Sequence, residues 1–500
     1  MRGSLATRSP VRLRPDPSRV VAQLFVPGHA LPGGREWRAS GVVEHVLALD
    51  DDEVDETLAS VVARFGGRHR DLTEMFSHNA DRIGNRLDPR VELSEERWLL
   101  LGASFTSEYA VEGAALCNPS AMALPDQTDA PAGALRFALS TRQIGEGHRS
   151  TIGFRTGLLD AHGAVSIDPT GPFTTVGAIG ASVLDADTFR GVVQGQPDDV
   201  EATTWVLDGL AARFTTRELD ARLLELSAQR DTRRGITQTV DRLRGLAART
   251  YTARFPSDSS LGERVLHPAT AVEANGMEDA RFVRFVDDDG AVTFYATYTA
   301  YDGVAITQQL LVTTDFLTFE ISPLFGAAAA NKGLALFPRR IGGRLAALSR
   351  ADGASNGIVF SDDIRRWPAA TPLLTSTETW EVVQVGNCGP PIETDEGWLM
   401  LTHGVGPMRS YAIGAWLLDL EDPTRVIGRL RSPLLTPLPE EQDGYVPNVV
   451  YSCGGLVHDG TLLLPFGVSD ATIGFATVPV DDLLTSIAED TLSAAAPARR

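Results

Sequence analysis

From about Trp98 onward, short apolar runs alternate with clusters of Gly, Asp and Asn, a composition of strands and turns rather than helices. Five such runs stand out, 135–141, 292–299, 345–349, 398–402 and 461–466, and the first four end in a polar residue. Each is followed by a second run that leads into an Asp, at 151–160, 306–315, 357–362, 413–419 and 473–481. A two-strand unit cannot cover its own apolar faces, so units of roughly 50 to 65 residues, the first set apart from the second by about 150, must stack on one another. The expected fold class is all-β, a five-bladed β-propeller, in which the first strand of each pair lines a central funnel.

Two segments depart from this pattern. Residues 51–79 have helical spacing, with Val54, Leu58, Val61, Val62 and Phe65 apolar and Asp50 to Asp52 available as an N-cap. Between 185 and 250, runs such as 216–224 and 241–247 combine apolar residues at three and four spacing with charge pairs. The predicted organisation is an N-terminal extension with a helical module (1–90), a propeller catalytic domain (91–485) interrupted by a helical insertion (185–250), and a flexible tail (486–500). The insertion reads as a packing or oligomer arm, so a homo-oligomer is among the expected partner states, and a lid is the other use for it.

Charge narrows the partners. Forty-five basic side chains against 65 acidic ones give a net charge of −20, which repels nucleic acid and anionic membranes, so neither is expected as a partner. An anionic substrate then needs a local basic pocket. Cys117, Cys388 and Cys453 are far apart and in no CxxC spacing, so they read as reduced, buried thiols. No apolar run approaches the ~18 residues of a membrane span, and the Arg-, Ser- and Pro-rich start lacks a secretory apolar core. A cytoplasmic, soluble protein is expected. The histidines show no HxxxH or HxH spacing, so no metal and no cofactor are expected.

The chemistry concentrates in 275–282, where Glu278, Asp279 and Arg281 lie between a turn and an aromatic strand. Period-two alternation puts Glu278 and Asp279 on opposite sides, so one carboxylate faces the funnel, with Arg281 on the side of Asp279. The plainer alternative is an acidic surface turn like the hairpin at 287–290. Strand ends elsewhere offer Arg142 with Glu146 and His148, Tyr301 with Asp302, Arg350, and His403.

The block Asn275-Gly276-Met277-Glu278-Asp279-Ala280-Arg281-Phe282 resembles the Gly-x-Glu-Asp-Pro-Arg signature of glycoside hydrolase family 130, the β-mannoside phosphorylases and β-1,2-mannosidases. Further motifs match in order: Asn331-Lys332-Gly333-Leu334-Ala335-Leu336-Phe337-Pro338, Leu348-Ser349-Arg350, Asn356-Gly357-Ile358, Gly389-Pro390-Pro391, Thr402-His403-Gly404-Val405, and the stretch from Pro447 through Tyr451 to Gly454. The resemblance spans about 118–478, and residues 1–90 and the helical insertion fall outside it, as in a long-chain divergent branch. It implies a five-bladed propeller and inverting cleavage of a β-mannoside, with Asp279 as proton donor. The one departure is Ala280 in place of the usual Pro, which frees the backbone without removing a functional group.

The resemblance also assigns Lys332, Arg350 and His403 to a phosphate site. Inverting cleavage needs an acid on one face and a nucleophile on the other. Phosphate arrives anionic and needs cations, whereas water needs a second carboxylate as base. The cationic set favours phosphorolysis of a β-mannoside oligosaccharide to mannose 1-phosphate, with inorganic phosphate as co-substrate. Hydrolysis by water, with Glu393 or Asp443 as base, is the alternative, and a non-catalytic carbohydrate-binding propeller is the second. Asn118, Glu278, Arg281, Asp302, Tyr445 and Asn448 are candidate substrate contacts, and Trp398 or Tyr301 could stack on a sugar ring.

Overall fold

All five predicted strand pairs form, each as an antiparallel ladder. Leu135–Ile144 pairs with Ser150–Leu159, Val292–Tyr301 with Ile306–Thr313, Leu345–Ser349 with Asn356–Ser361, Gly397–Val405 with Tyr411–Leu418, and Thr461–Val468 with Thr472–Pro479. The structure is a computed structural model that describes residues 4–27, 34–88, 90–193, 200–229 and 235–495. It is mostly sheet.

The first member of each pair is not the innermost strand. A further strand precedes it in every group: Ala115–Ala123, Gly276–Val286, Ala335–Leu336, Gln384–Asn387 and Val450–Tyr451. Three of these are only two to four residues long, too short for apolar alternation to mark them. The fifth group takes its edge strand from the N-terminus. Thr7–Leu13 pairs with Thr472–Pro479, setting Thr7 opposite Thr477 and Leu13 opposite Ile473. Arg8 and Arg12 on that strand both pair with the buried Glu441.

The strand groups are joined face to face by apolar clusters. Ile152 and Phe154 of the first pack with Met277, Phe282 and Phe294 of the second. Phe285 and Leu310 of the second pack with Leu345 and Val359 of the third, and Leu348 and Ile358 of the third with Trp398 and Trp416 of the fourth. Leu399 and Ile413 of the fourth pack with Leu462 and Phe466 of the fifth, and Leu463 and Phe475 of the fifth with Leu116 and Phe137 of the first. Each large side chain buried this way contributes about 1.5–3 kcal/mol.

The helices follow local signals with three differences. Asp50 caps Asp51–Phe65, accepting from the Glu53 N–H at 2.8 Å while Glu53 accepts from the Asp50 N–H at 3.0 Å. The predicted 51–79 helix is broken by Gly66 and Gly67 and resumes as Leu72–Ile83. Trp98 does not open the strand region. It lies in the helix Glu95–Ser104, whose N-cap Ser94 accepts from the Arg97 N–H, and the next strand begins only at Thr106. The segment expected as a flexible tail from 486 is helical to Ala495, because Leu483, Leu484 and Ile487 bury one face of Val480–Ala495, and residues 496–500 lie outside the described residues.

The helical insertion is present as Ala186–Val193, Val200–Asp208, Thr216–Ser227 and Ile236–Ala247, with a core of its own that includes Leu219, Leu223, Leu243 and Leu246. It leaves and rejoins the sheet through Ala178–Ala181 and Tyr251–Arg254, which extend the second strand group outward beyond Thr318–Pro323. The helices therefore hang from the edge opposite Gly276–Val286. No helix among the described residues is long and apolar enough to cross a membrane.

Candidate functional site

Two β-bulges build the centre of the site. The ladder between Gly276–Val286 and its neighbour shifts register between Glu278 and Arg281, and Asp279 sits there in the left-handed region at φ 56°. The ladder of Ala115–Ala123 shifts between Cys117 and Ser120, with Asn118 at φ 49°. Asp and Asn are the side chains that best tolerate this conformation, and a bulge re-aims them away from the ordinary pleat. The two meet: the Asn118 amide donates to the Asp279 carboxylate at 2.6 Å.

The bulge modifies the alternation rule: of the two carboxylates Asp279 alone lines the cavity that opens here, as alternation expects, but Arg281 does not join it. Arg142 pairs with both carboxylates, at 2.6 Å to Glu278 and 3.6 Å to Asp279, while donating from Nε to the Ser150 hydroxyl at 2.9 Å. Arg281 lies behind the bulge, fully buried, and donates to the Asp279 backbone carbonyl at 2.9 Å and to the Tyr451 hydroxyl at 2.8 Å. It braces the site and is not among the residues lining it.

A cavity of about 410 Å³ opens at this point, lined by Asn118, Arg142, Asp279, Asn331, Lys332, Arg350, Gln384, His403, Arg409, Tyr411, Tyr451 and Asp470 among others. Lys332, Arg350 and His403 come from the third and fourth strand groups and share it with Asp279 from the second. Glycines allow the close approach: a Cβ on Gly386 would lie 2.4 Å from Arg350 Nε and 2.5 Å from His403 Cε1. Asn387 fixes the Lys332 turn, donating from its side chain to the Gly333 carbonyl at 3.0 Å.

Electrostatics divide the cavity. Burial pushes the Asp279 carboxyl up, but Arg142, Lys332, Arg281 and the Asn118 amide outweigh it and hold it below the usual carboxylate range. Glu278 goes the other way, raised by burial against the pull of Arg142 and raised further by Asp279. Burial drives His403 well below an ordinary imidazole, and Arg350 and Arg281 reinforce this, so the ring is neutral. Its Nδ1 and the Arg350 Nε are buried without a hydrogen-bond partner. Such orphaned polar atoms suit a polar ligand.

Several predicted contacts lie elsewhere. Asp302 is an exposed turn residue that accepts from the Val304 and Ala305 N–H groups. Tyr445 is 45% exposed and bonded to His148, and half-buried Asn448 engages Gln442 and Tyr411 through its backbone. None of the three lines the cavity, although Val446 and Val449 beside them do. Trp398 is fully buried against Phe337 and cannot stack on a sugar, and the Tyr301 hydroxyl donates to Gly303. Glu393 is tied to Arg339 on the surface and Asp443 is exposed, so neither candidate base reaches the cavity.

The carboxylate that does reach it is Asp470, which sequence reasoning missed. Burial pushes it up to about 6, with Arg142 opposing and Asp279 reinforcing. It sits at φ 48° in the turn after Thr461–Val468, with no motif to mark it. Tyr451, edge-on to His403 at 4.8 Å, falls inside one of the matching motifs, where its residue type alone suggests no role. Among the described residues, no group of three His, Cys, Asp or Glu is arranged to hold a metal.

Comparison with known proteins agrees with the motifs. The glycoside hydrolase 130 family model, described as beta-1,4-mannooligosaccharide phosphorylase, matches residues 258–489. A 1,2-beta-oligomannan phosphorylase of Thermoanaerobacter sp. (strain X514) is 36% identical over 45% of this chain and 75% of its own length. A beta-1,2-mannobiose phosphorylase of Listeria innocua is 32% identical over 44% of this chain and 62% of its own. The solved structure of a Listeria innocua beta-1,2-mannobiose phosphorylase in complex with beta-1,2-mannobiose aligns at TM-score 0.46 and 21% identity, covering 76% of this chain and 93% of that one. The chain belongs to glycoside hydrolase family 130 and is an enzyme of the glycoside phosphorylase or glycosidase type.

Proposed function

We propose that the enzyme cleaves a β-mannoside with inversion, using inorganic phosphate as the attacking group and releasing mannose 1-phosphate. The observation that carries this reading is the single cavity that Asp279 shares with Lys332, Arg350 and His403. Asp279 delivers the proton to the leaving group, directly or through a sugar hydroxyl, and Asn118 and Arg142 fix its carboxyl. Phosphate sits against Lys332 and Arg350, where a guanidinium can clamp two oxygens, and the neutral His403 offers a ring nitrogen to a third. Glu278 and Asn118 lie close enough to Asp279 to contact the bound hexose.

The proton logic is consistent with this. With the site empty, the cations keep Asp279 ionised and unable to donate. An anion bound beside Lys332 offsets one of them, so proton uptake at Asp279 accompanies phosphate binding. The strand groups and the apolar clusters that link each to the next support a five-bladed propeller as the frame, since that arrangement aims the inner strands of every blade at one cavity. The names of the relatives favour a β-1,2 linkage. The three free, buried cysteines fit a cytoplasmic location.

Asp470 supports a second reading, hydrolysis, because it is a carboxylate in the same cavity that could activate water. Incubation with β-1,2-mannobiose, with and without phosphate, separates them. Mannose 1-phosphate formed only with phosphate upholds phosphorolysis, and free mannose released at the same rate in either case replaces it with hydrolysis.

A further inference from the structure

Two hairpins share one unusual backbone, one contributing Arg409 to the cavity lining and the other touching Tyr445, the neighbour of lining residue Val446. In 145–149 the Gly145 N–H donates to the Arg149 carbonyl at 3.1 Å, and in 406–410 the Gly406 N–H donates to the Ser410 carbonyl at 2.9 Å. Both carry two consecutive left-handed residues: Gly147 and His148 at φ 67° and 59°, and Met408 and Arg409 at φ 58° and 54°. For a side chain other than Gly this conformation costs roughly 1–2 kcal/mol per residue, so it persists where the surroundings fix it. In the second hairpin it points Arg409 into the cavity lining. In the first, His148 occupies the matching position and meets Tyr445, its Nδ1 2.5 Å from the hydroxyl and the rings 5.7 Å apart at 41°.

Tyr445 is 45% exposed, and neither the propeller groups nor the proposed chemistry accounts for an aromatic ring held there. Its neighbour Val446 lines the cavity, and the Val446 N–H donates to the Ser469 carbonyl at 2.9 Å, next to Asp470. The ring is thus held by its hydroxyl to one hairpin, and the residue after it is held by its backbone to another. On the proposed chemistry, the transferred mannose and phosphate take the end holding Asp279, Lys332 and Arg350, so the leaving-group sugar extends toward the mouth.

We infer that Tyr445, braced by His148, is the stacking face for the leaving-group sugar and so a specificity-determining residue. The inference rests on the reading above only for the direction in which the substrate lies. A pyranose presents an apolar C–H face that suits an aromatic ring, and a ring already immobilised loses little freedom on binding.

Calorimetric titration of Asp279→Asn, which holds substrate without turnover, provides the test. Adding Tyr445→Ala should weaken β-1,2-mannobiose about tenfold while leaving mannose 1-phosphate, which does not reach the mouth, within about twofold. Tyr445→Phe and His148→Ala should each weaken mannobiose about threefold, and no further when combined, because both remove the same brace. Equal loss for mannobiose and mannose 1-phosphate, or no loss for either, overturns the inference. Neither result touches the phosphorolysis reading, which fails separately if wild-type enzyme forms no mannose 1-phosphate from mannobiose and phosphate.

Discussion

Gly386→Ala tests the proposed phosphate site without removing any of its functional groups. Gly386 lies opposite His403 in the ladder of Gln384–Asn387, and its backbone conformation suits alanine, so the only new element is a methyl group. That methyl would sit 2.4 Å from Arg350 Nε and 2.5 Å from His403 Cε1, where ordinary contact begins at 3.4 Å. One or both side chains must move by about 1 Å, and a displacement of that size in a positioned group lowers rate by roughly 10²-fold. Arg350 is 7% exposed and His403 1%, so neither can swing into solvent, and the overpacking should cost about 1–3 kcal/mol of stability. The assay is the initial rate of mannose 1-phosphate formation against phosphate concentration, beside a thermal melt. The expected result is a folded enzyme whose kcat/KM for phosphate falls about 10²-fold while the affinity for mannobiose, measured in the Asp279→Asn background, stays within about twofold. A folded variant with unchanged phosphate kinetics would refute the assignment of Arg350 and His403 to phosphate.

Four further outcomes follow from the same geometry. Asp279→Asn should lower turnover by about 10²–10⁴-fold with the fold retained, as read by circular dichroism, and near-normal activity would remove Asp279 as the acid. Phosphate binding at pH 7 should take up protons through Asp279, seen as a heat that varies with buffer ionisation enthalpy; buffer-independent heat would count against the coupling to Lys332. Asp470 titrates at about 6 in the fold against 3.8 as its ordinary value, so the native state is relatively favoured below pH 3.8 and loses that advantage as pH rises through 6. Asp470→Asn should therefore gain up to about 3 kcal/mol over the parent at pH 8 and almost nothing near pH 4, and a pH-independent difference in urea melts would contradict this. Gly245, in the helix Ile236–Ala247, has no atom near a Cβ, so Gly245→Ala should add about 0.5–1 kcal/mol of stability without changing activity.

The strand pairs and the family motif at 275–282 were legible because each rests on a local rule, alternation along a strand or a fixed run of residues. The innermost strands were not, since Ala335–Leu336 and Val450–Tyr451 are two residues long and are defined by neighbours distant in sequence. The bulge at Asp279 limits period-two reasoning: it finds the one carboxylate that lines the cavity but misplaces Arg281, because a left-handed residue interrupts the alternation. Trp98 is ambiguous in sequence because Trp-Leu-Leu-Leu satisfies a strand as well as a helix, and the deciding signal is the Ser94 cap. Asp302, Tyr445 and Asn448 look like ligand contacts from their types; turn geometry claims the first, and the other two stand in loops beside the cavity rather than in its lining. Asp470 had no signal at all, since an Asp in a tight turn is ordinary until the fold buries it among Arg142, Asp279 and Glu278.

The pairing of Thr7–Leu13 with Thr472–Pro479 has a consequence for biosynthesis. During translation the first strand leaves the ribosome long before its partner exists, so it must wait, unpaired and partly apolar, while the intervening groups assemble. Its docking is then the final stitch of maturation, and a nascent chain stalled before the last hairpin should remain protease-sensitive at its beginning even where its middle is already native.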